Sequence, residues 1–266
     1  LTFSGFRRLT IIGTGNVAWT LGDAFRQAGY VICEVFGRDK SKAAELAQWL
    51  GANVTNSLTG LSADSDLYIL AVSDDAIQLI SSGMPDVSGM VVHTSATVPL
   101  EVLSRRFIRS GVLYPLQTLS RYRKIDLSDV PFLLEAANEG QLLLLSDFAG
   151  SISSQLIHAN TETRIKYHLA AVFACNFVNH LYTVASSYLM DQGLQSALLE
   201  PLMRETTAKA LEKGSINSQT GPALRGDQQT IKKHLVMLQM LPEQQKLYEQ
   251  ISLMIQNFHI KTNEQL

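Results

Sequence analysis

Near the start of the 266-residue chain, the run Leu9-Thr10-Ile11-Ile12 gives way to Gly13-Thr14-Gly15-Asn16-Val17-Ala18. The first four residues suit a buried strand, and a helical pattern follows the glycines at once. In Gly13-x-Gly15-x-x-Ala18, the first glycine permits a tight turn and the second removes a side chain where a pyrophosphate must approach the backbone. Ala18 lets helix and strand pack closely. Unpaired amides at a helix start attract such an anion, with Thr14, Asn16 and Val17 completing the cradle. A plain glycine turn has the same letters. What marks this one is its place between a strand and a helix.

Working outward, Val17, Leu21, Ala24, Phe25 and Ala28 recur at helical spacing, and Gly29 closes the helix. Residues 30–36 form a β-rich run. Where an NAD site carries an acidic residue, this strand ends in Gly37-Arg38-Asp39-Lys40-Ser41. A planar guanidinium matches the oxygens of a 2′-phosphate, so Gly37, Arg38 and Ser41 are assigned to the cofactor and NADP is favoured over NAD. An inward-turned Asp39 would restore NAD. Residues 67–72 and 90–93 are nearly unbroken apolar runs, as expected of strands covered on both faces. Ligands of a doubly wound sheet lie beyond the carboxyl ends of its strands, which adds Val72, Ser73, Thr94 and Ser95 to the cofactor set.

Helices are predicted over 42–50, from Ala76, over 99–108 and over 139–149, with strands at 53–55, 111–114, 130–137 and 155–157. This alternation predicts an α/β, Rossmann-type, doubly wound and mainly parallel sheet. The β-like runs stop near Ala159-Asn160-Thr161. Residues 1–160 are therefore expected to form a dinucleotide-binding domain, and 161–266 a smaller all-α domain for substrate binding and dimerisation.

From residue 161 to about 190 the pattern is one long helix. At about 100° per residue, His168, Asn176, Asn179, Thr183 and Ser186 fall within an arc of roughly 80°. Three readings of this polar seam stand open: a solvated face, a set of buried partners, or the lining of a cleft. A solvated face normally carries Lys and Glu, which favours the cleft. Further helices are expected over 194–212, ending at Gly214, over the span capped by Asp227 and running to Gln239, and from Pro242 to Phe258. The loop between Asn217 and Asp227 is rich in hydrogen-bonding groups.

Composition narrows the function classes. With 46% hydrophobic and 17% charged residues and a formal net charge of −2, the chain fits a soluble globular protein with no nucleic-acid partner. Cys33 and Cys175 sit far apart in apolar stretches, so reduced core thiols and a cytoplasmic location are expected. Residues 1–8 lack both Met and a signal-peptide core, and are taken as a trimmed leader. The longest apolar stretch, 169–190, contains Asn176, Asn179 and His180, which are costly in lipid; a buried helix and no membrane association are expected. No Cys or His pair has metal-ligand spacing, so no metal is expected.

Five motifs give the chain a family likeness: Gly13-Thr-Gly-Asn-Val17, Val92-His-Thr-Ser-Ala96, Tyr114-Pro-Leu-Gln-Thr118, Tyr167-His-Leu-Ala-Ala171, and Gln219-Thr-Gly-Pro-Ala223 with Arg225-Gly-Asp227. The chain resembles bacterial proteins that join a Rossmann-like domain to a helical C-terminal domain of unknown function. That first domain is similar to pyrroline-5-carboxylate reductase and to NADP-dependent coenzyme F420 oxidoreductase. The resemblance implies an NADP oxidoreductase. Wider relatives place a Lys on the first long helix with an Asn one turn later. Here Lys166 and His168 are followed four residues on by Ala170 and Val172, so that mechanism is not copied.

The expected activity is hydride transfer between NADP(H) and a small carbonyl, imine or alcohol. His168 is the candidate proton donor or acceptor, because imidazole titrates near neutrality. Ser95 and Asn176 are candidates to hydrogen-bond the substrate carbonyl, and Gln117, Gln219 and Arg225 to hold a carboxylate. The alternative is a non-catalytic NADP-binding sensor or regulatory module. A homodimer through the second-domain helices is expected.

Overall fold

The computed structural model describes residues 5–263. Its elements run β1 (Arg8–Ile12), α1 (Asn16–Gln27), β2 (Val31–Phe36), α2 (Lys40–Leu50), β3 (Asn53–Thr55), β4 (Leu67–Leu70), α3 (Asp74–Gly83), β5 (Met90–His93), α4 (Glu101–Ser104), β6 (Ser110–Pro115), β7 (Phe132–Ala136), α5 (Glu139–Ala149) and β8 (Leu156–His158). The eight strands form one sheet in the order β3-β2-β1-β4-β5-β6-β7-β8. All neighbours are parallel except β6 and β7. The fold is the expected Rossmann-type α/β sheet followed by a helical region. From β1 the chain winds to β2 and β3 on one side, then crosses to β4 on the other, which opens a crevice at the carboxyl end of β1.

Period-two alternation explains why both faces are apolar. Leu9 and Ile11 of β1 join Leu67 and Ile69 of β4 in one core cluster. Ile12, Tyr68 and Leu70 join Ile77 and Leu103 in the other. The first cluster also holds Phe6, whose ring meets Phe148 edge-on at 5.7 Å. The leader reading of 1–8 is therefore corrected: residues 1–4 lie outside the described residues, but Phe6 is core and the amides of Arg7 and Arg8 both bond Asp66 at 2.8 Å. The helix predicted over 99–108 shrinks to α4. Its opening bonds, Val102 N–H to Pro99 and Leu103 N–H to Leu100, are of the tighter three-residue kind.

Helices alone follow: α6 (Thr161–Ala171), a π-helical segment (Val172–Phe177), α7 (Val178–Asp191), a short tight turn (Ser196–Leu199), α8 (Glu200–Lys213), α9 (Gln228–Met237) and α10 (Pro242–Asn263). Asn160 caps α6 and Asp227 caps α9, each side-chain oxygen accepting an N–H three residues on at 3.0 Å. The chain separates into two compact units, Leu1–Asn176 and Phe177–Leu266.

Three expectations change in this region. The single long helix is interrupted by the π turns, whose wider spacing invalidates the phase that placed Asn179, Thr183 and Ser186 in register with His168. The helix expected from residue 194 begins as the short tight turn, and α8 proper starts beside Pro201, which has no N–H to lose at a helix start. The span Thr161–Asp191 is long and apolar enough to cross a bilayer, yet it is not the buried helix expected, since Phe173, Phe177, Leu181 and Met190 are exposed. Its N-terminal turns are pinned to the sheet by Arg164 and His168, described below. The same exposure corrects the two thiols: Cys175 is exposed and Cys33 half-buried, so neither is a core residue.

Candidate active site

The turn after β1 is built as its glycines require. Gly13 has φ +122°, and a Cβ there would lie 2.1 Å from the carbonyl oxygen of Ala71 beyond β4. Only glycine lets the two strand ends approach so closely. Gly15 differs: its backbone is extended and a Cβ would meet nothing within 4 Å. The space is open toward the start of α1, where no side chain caps the amides and no acidic residue stands in the first turn. An exposed, uncapped helix start beneath a glycine fits a diphosphate. By contrast, α3 opens with Asp74 and Asp75, which repel one.

A cavity of about 750 Å³ extends from this turn. Gly13 to Val17 line it, as do Gly37, Arg38, Asp39, Lys42, Val72 and Ser73. Gly37 is needed for packing, because a Cβ would sit 2.7 Å from the Thr14 methyl. Asp39 is spent on the cap of α2: one oxygen accepts from the amides of Ser41 and Lys42 at 3.0 and 3.2 Å, and the other lies 3.7 Å from the Lys42 ammonium. Arg38 and Lys42 remain exposed at the mouth. Ala18 is fully buried, as close helix-to-strand packing requires. A wider cleft of about 1040 Å³ lies among Trp19, Trp49 and residues 120–127. It lacks an uncapped helix start, so the smaller cavity is the cofactor candidate.

Beyond β5 the chain is tightly knit. Thr94 is buried and its amide and hydroxyl both reach the Leu70 carbonyl. The hydroxyl oxygen of buried Ser95 accepts from the amides of Thr97 and Val98 at 3.1 and 3.0 Å. Ser95 thus shapes this turn through its oxygen's lone pairs, which leaves its O–H proton to donate. His93 is fully buried, and its Nδ1 accepts the Ser95 N–H at 3.2 Å. Burial, and then the Arg164 guanidinium, push its imidazole down to about 4. At neutral pH it is an uncharged core residue. Thr97 donates to Asp74 at 2.5 Å.

The residues missed from sequence sit on α6 and β6. Arg164 has no exposed surface, although it is charged. It is ion-paired with Glu135 of β7, and its other nitrogen donates to the Val98 carbonyl at 2.8 Å and to the Thr161 hydroxyl at 3.2 Å. One helical turn further on, the same face of α6 presents His168. Its Nδ1 lies 3.1 Å from the Tyr114 hydroxyl, with the rings edge-on at 6.2 Å. Tyr114 belongs to β6, paired with β7 at Leu133. Burial, and then the Asp74 carboxylate, raise its phenol above the ordinary value. The spacing Arg164-x-x-x-His168 behind the Asn160 cap was the available signal.

The other candidates have these surroundings. Asn176 is exposed in the π segment. Gln117 turns its amide oxygen onto the neighbouring Thr118 N–H at 2.8 Å. Gln219 and Arg225 belong to the second unit, where Gln219 donates to the Thr220 carbonyl at 2.9 Å and Arg225 is exposed.

Residues 8–97 match a family described as NADP oxidoreductase, coenzyme F420-dependent, and residues 130–255 match a domain of unknown function. The chain is 35% identical to a Bacteroides fragilis protein whose crystal structure is described as "putative NADP oxidoreductase BF3122". The match covers 95% of this chain and 98% of that one, with a TM-score of 0.88. Protein TM1727 of Thermotoga maritima is similar at 22% identity, over 94% and 98% of the two chains, with a TM-score of 0.80. An imine reductase from Myxococcus stipitatus, solved with NADP+, shares the fold at 17% identity, over 97% and 94%, with a TM-score of 0.63. No curated protein matches the chain.

Proposed function

Because this chain belongs to the NADP oxidoreductase family represented by the Bacteroides fragilis protein, we propose that it catalyses hydride transfer between NADP(H) and a small carbonyl, imine or alcohol. The observation that carries this reading is the open space over Gly15 at the uncapped start of α1, in a cavity whose lining also includes Arg38 and Lys42. Gly13 to Ala18 would hold the diphosphate on bare main chain. Gly37, Arg38, Ser41 and Lys42 would hold the 2′-phosphate, with Asp39 withdrawn into the helix cap. Val72, Ser73 and the turn at Thr94 and Ser95 would flank the nicotinamide end. The hydride is the chemistry that the dinucleotide supplies when bound. His168 supplies or removes the accompanying proton. The NADP+-bound imine reductase of the same fold supports including imines among the substrates.

Calorimetric titration with NADP and NAD tests the binding claim. NADP is expected to bind about ten- to a hundredfold more tightly, the worth of charge-assisted hydrogen bonds of roughly 1.5–3 kcal/mol. Arg38→Ala should erase most of that preference. Equal affinity for the two dinucleotides refutes the assignment of Arg38, and no binding of either refutes the whole reading. NADPH consumption over a panel of imines, keto acids and aldehydes then tests turnover. Tight binding without turnover on any of them favours the sensor alternative.

The protein is further proposed to be a cytoplasmic homodimer joined through its second unit. Among the described residues of that unit only Ala223, Ile231 and Ser252 are buried, while Leu194, Leu198, Leu202, Met254 and Phe258 are exposed. So many open apolar side chains suit a second copy of the same helices. Light scattering should give twice the 29.3 kDa of one chain. A monomer at micromolar concentration would refute this.

A further inference from the structure

We propose that Tyr114 is a positioning residue for His168: it holds the imidazole with Nδ1 turned toward β6, and so makes Nε2 the atom that exchanges a proton with the substrate. This rests on the reading of His168 as the proton-transfer group. The geometric basis is the 3.1 Å contact between the Tyr114 hydroxyl and Nδ1, between two side chains whose backbones are each fixed. Tyr114 stands on a strand paired through five residues with β7. His168 stands one turn from Arg164, which is buried and bound to both Glu135 and Val98. The ring therefore has little freedom to turn over. Nε2 has no hydrogen-bond partner among the described residues, and it is not one of the buried, unpartnered polar atoms. It is the open end of the ring.

A protonated phenol can donate to Nδ1 or accept from it, and what surrounds the phenol keeps the donor role open to it. Tyr114 is half-buried, and the negative charge of Asp74 at the start of α3 acts on it. Both keep the phenol protonated at neutral pH, so its hydroxyl has a proton to give; in the proposed uncharged pair the hydroxyl donates and Nδ1 accepts. The proton of neutral His168 then sits on Nε2. In the imidazolium state Nδ1–H donates instead, and the phenol oxygen accepts. The phenol thus satisfies Nδ1 in either charge state. When the imidazolium acts as the acid, the Nε2–H bond breaks as a new O–H or N–H bond forms on the substrate. The electron pair stays on Nε2, the ring keeps its other proton on Nδ1 and donates it to the phenol oxygen, and solvent then protonates Nε2 to restore the imidazolium. A phenylalanine at 114 would fill the same space and leave the tautomer unselected.

Long-range proton–nitrogen NMR of the imidazoles in the full-length protein tests this without cofactor or substrate. The His168 signals are assigned by their loss in His168→Gln. At mildly alkaline pH, the wild type should show a protonated Nε2 and an unprotonated Nδ1. Tyr114→Phe should move both nitrogens toward averaged shifts while leaving the other imidazoles in place. In the NADPH assay, the same variant should lower kcat about ten- to a hundredfold with KM little changed. An Nδ1–H tautomer in the wild type, or unchanged His168 shifts in Tyr114→Phe, overturns the proposal. The expected shifts in a protein that consumes no NADPH would support the ring orientation and overturn the oxidoreductase reading alone.

Discussion

Replacing Arg164 by Met should destabilise the protein by about 3–5 kcal/mol, the cost of breaking a buried ion pair by removing one partner. The magnitude follows from what the guanidinium leaves behind. Its side chain is fully buried and that of Glu135 only 19% exposed, so water cannot replace it freely. Among the described residues the Glu135 carboxylate keeps one side-chain hydrogen bond, accepted from the Thr161 hydroxyl at 3.3 Å, and the Val98 carbonyl loses its side-chain donor. Methionine retains much of the apolar volume, which keeps the cavity term small. At about 2–4 °C per kcal/mol for a protein of this size, the melting temperature should fall by roughly 6–20 °C. Thermal scans followed by circular dichroism measure it. The double variant Arg164→Met, Glu135→Leu should recover a large part of the loss, because no carboxylate is then stranded. A single variant within about 1 kcal/mol of wild type, or a double variant no better than the single, would refute the reasoning.

His93 makes stability depend on pH. Its proton affinity in the folded state, about 4, lies below the ordinary 6.5, so its contribution is whole above pH 6.5 and is lost as pH falls toward 4. The difference is worth roughly 3 kcal/mol at 1.36 kcal/mol per factor of ten, and urea titrations of wild type against His93→Gln between these limits should show a flatter profile in the variant. Parallel profiles would count against it. The two turn glycines should separate cleanly. Gly13→Ala meets the Ala71 carbonyl in a conformation that L residues rarely adopt and should unfold or fail to express, whereas Gly15→Ala should fold within about 1 kcal/mol of wild type and lose dinucleotide affinity. A Gly15→Ala protein that binds NADP normally by calorimetry contradicts the cradle.

Much of the first unit was legible because its signals are local. A four-residue apolar run ending in two glycines has few other structures available, and strands buried on both faces advertise themselves by losing alternation. The edge proposed for the cofactor was read from where the apolar runs end. Arg164 was illegible for the opposite reason. A charged residue on a helix is normally solvated, and only the positions of Glu135 and Val98, 29 and 66 residues away, reveal that its charge is answered inside. Tyr114 passed as the end of a strand, since its partner lies 54 residues on. Ser95 was placed correctly at the strand end, but its oxygen closes a turn that no spacing rule predicts. The π segment escaped because an extra residue per turn leaves no mark on composition.

The one-turn spacing between Arg164 and His168 fixes where the chain tolerates a change of length. A residue gained or lost between them would swing the imidazole about 100° around the helix axis, away from β6, while the guanidinium stayed lodged in the sheet. Four residues past His168 the helix already widens into its looser turns, where an additional residue can be absorbed. Length variation in this helix is therefore predicted to fall after position 171 and to spare 164–168.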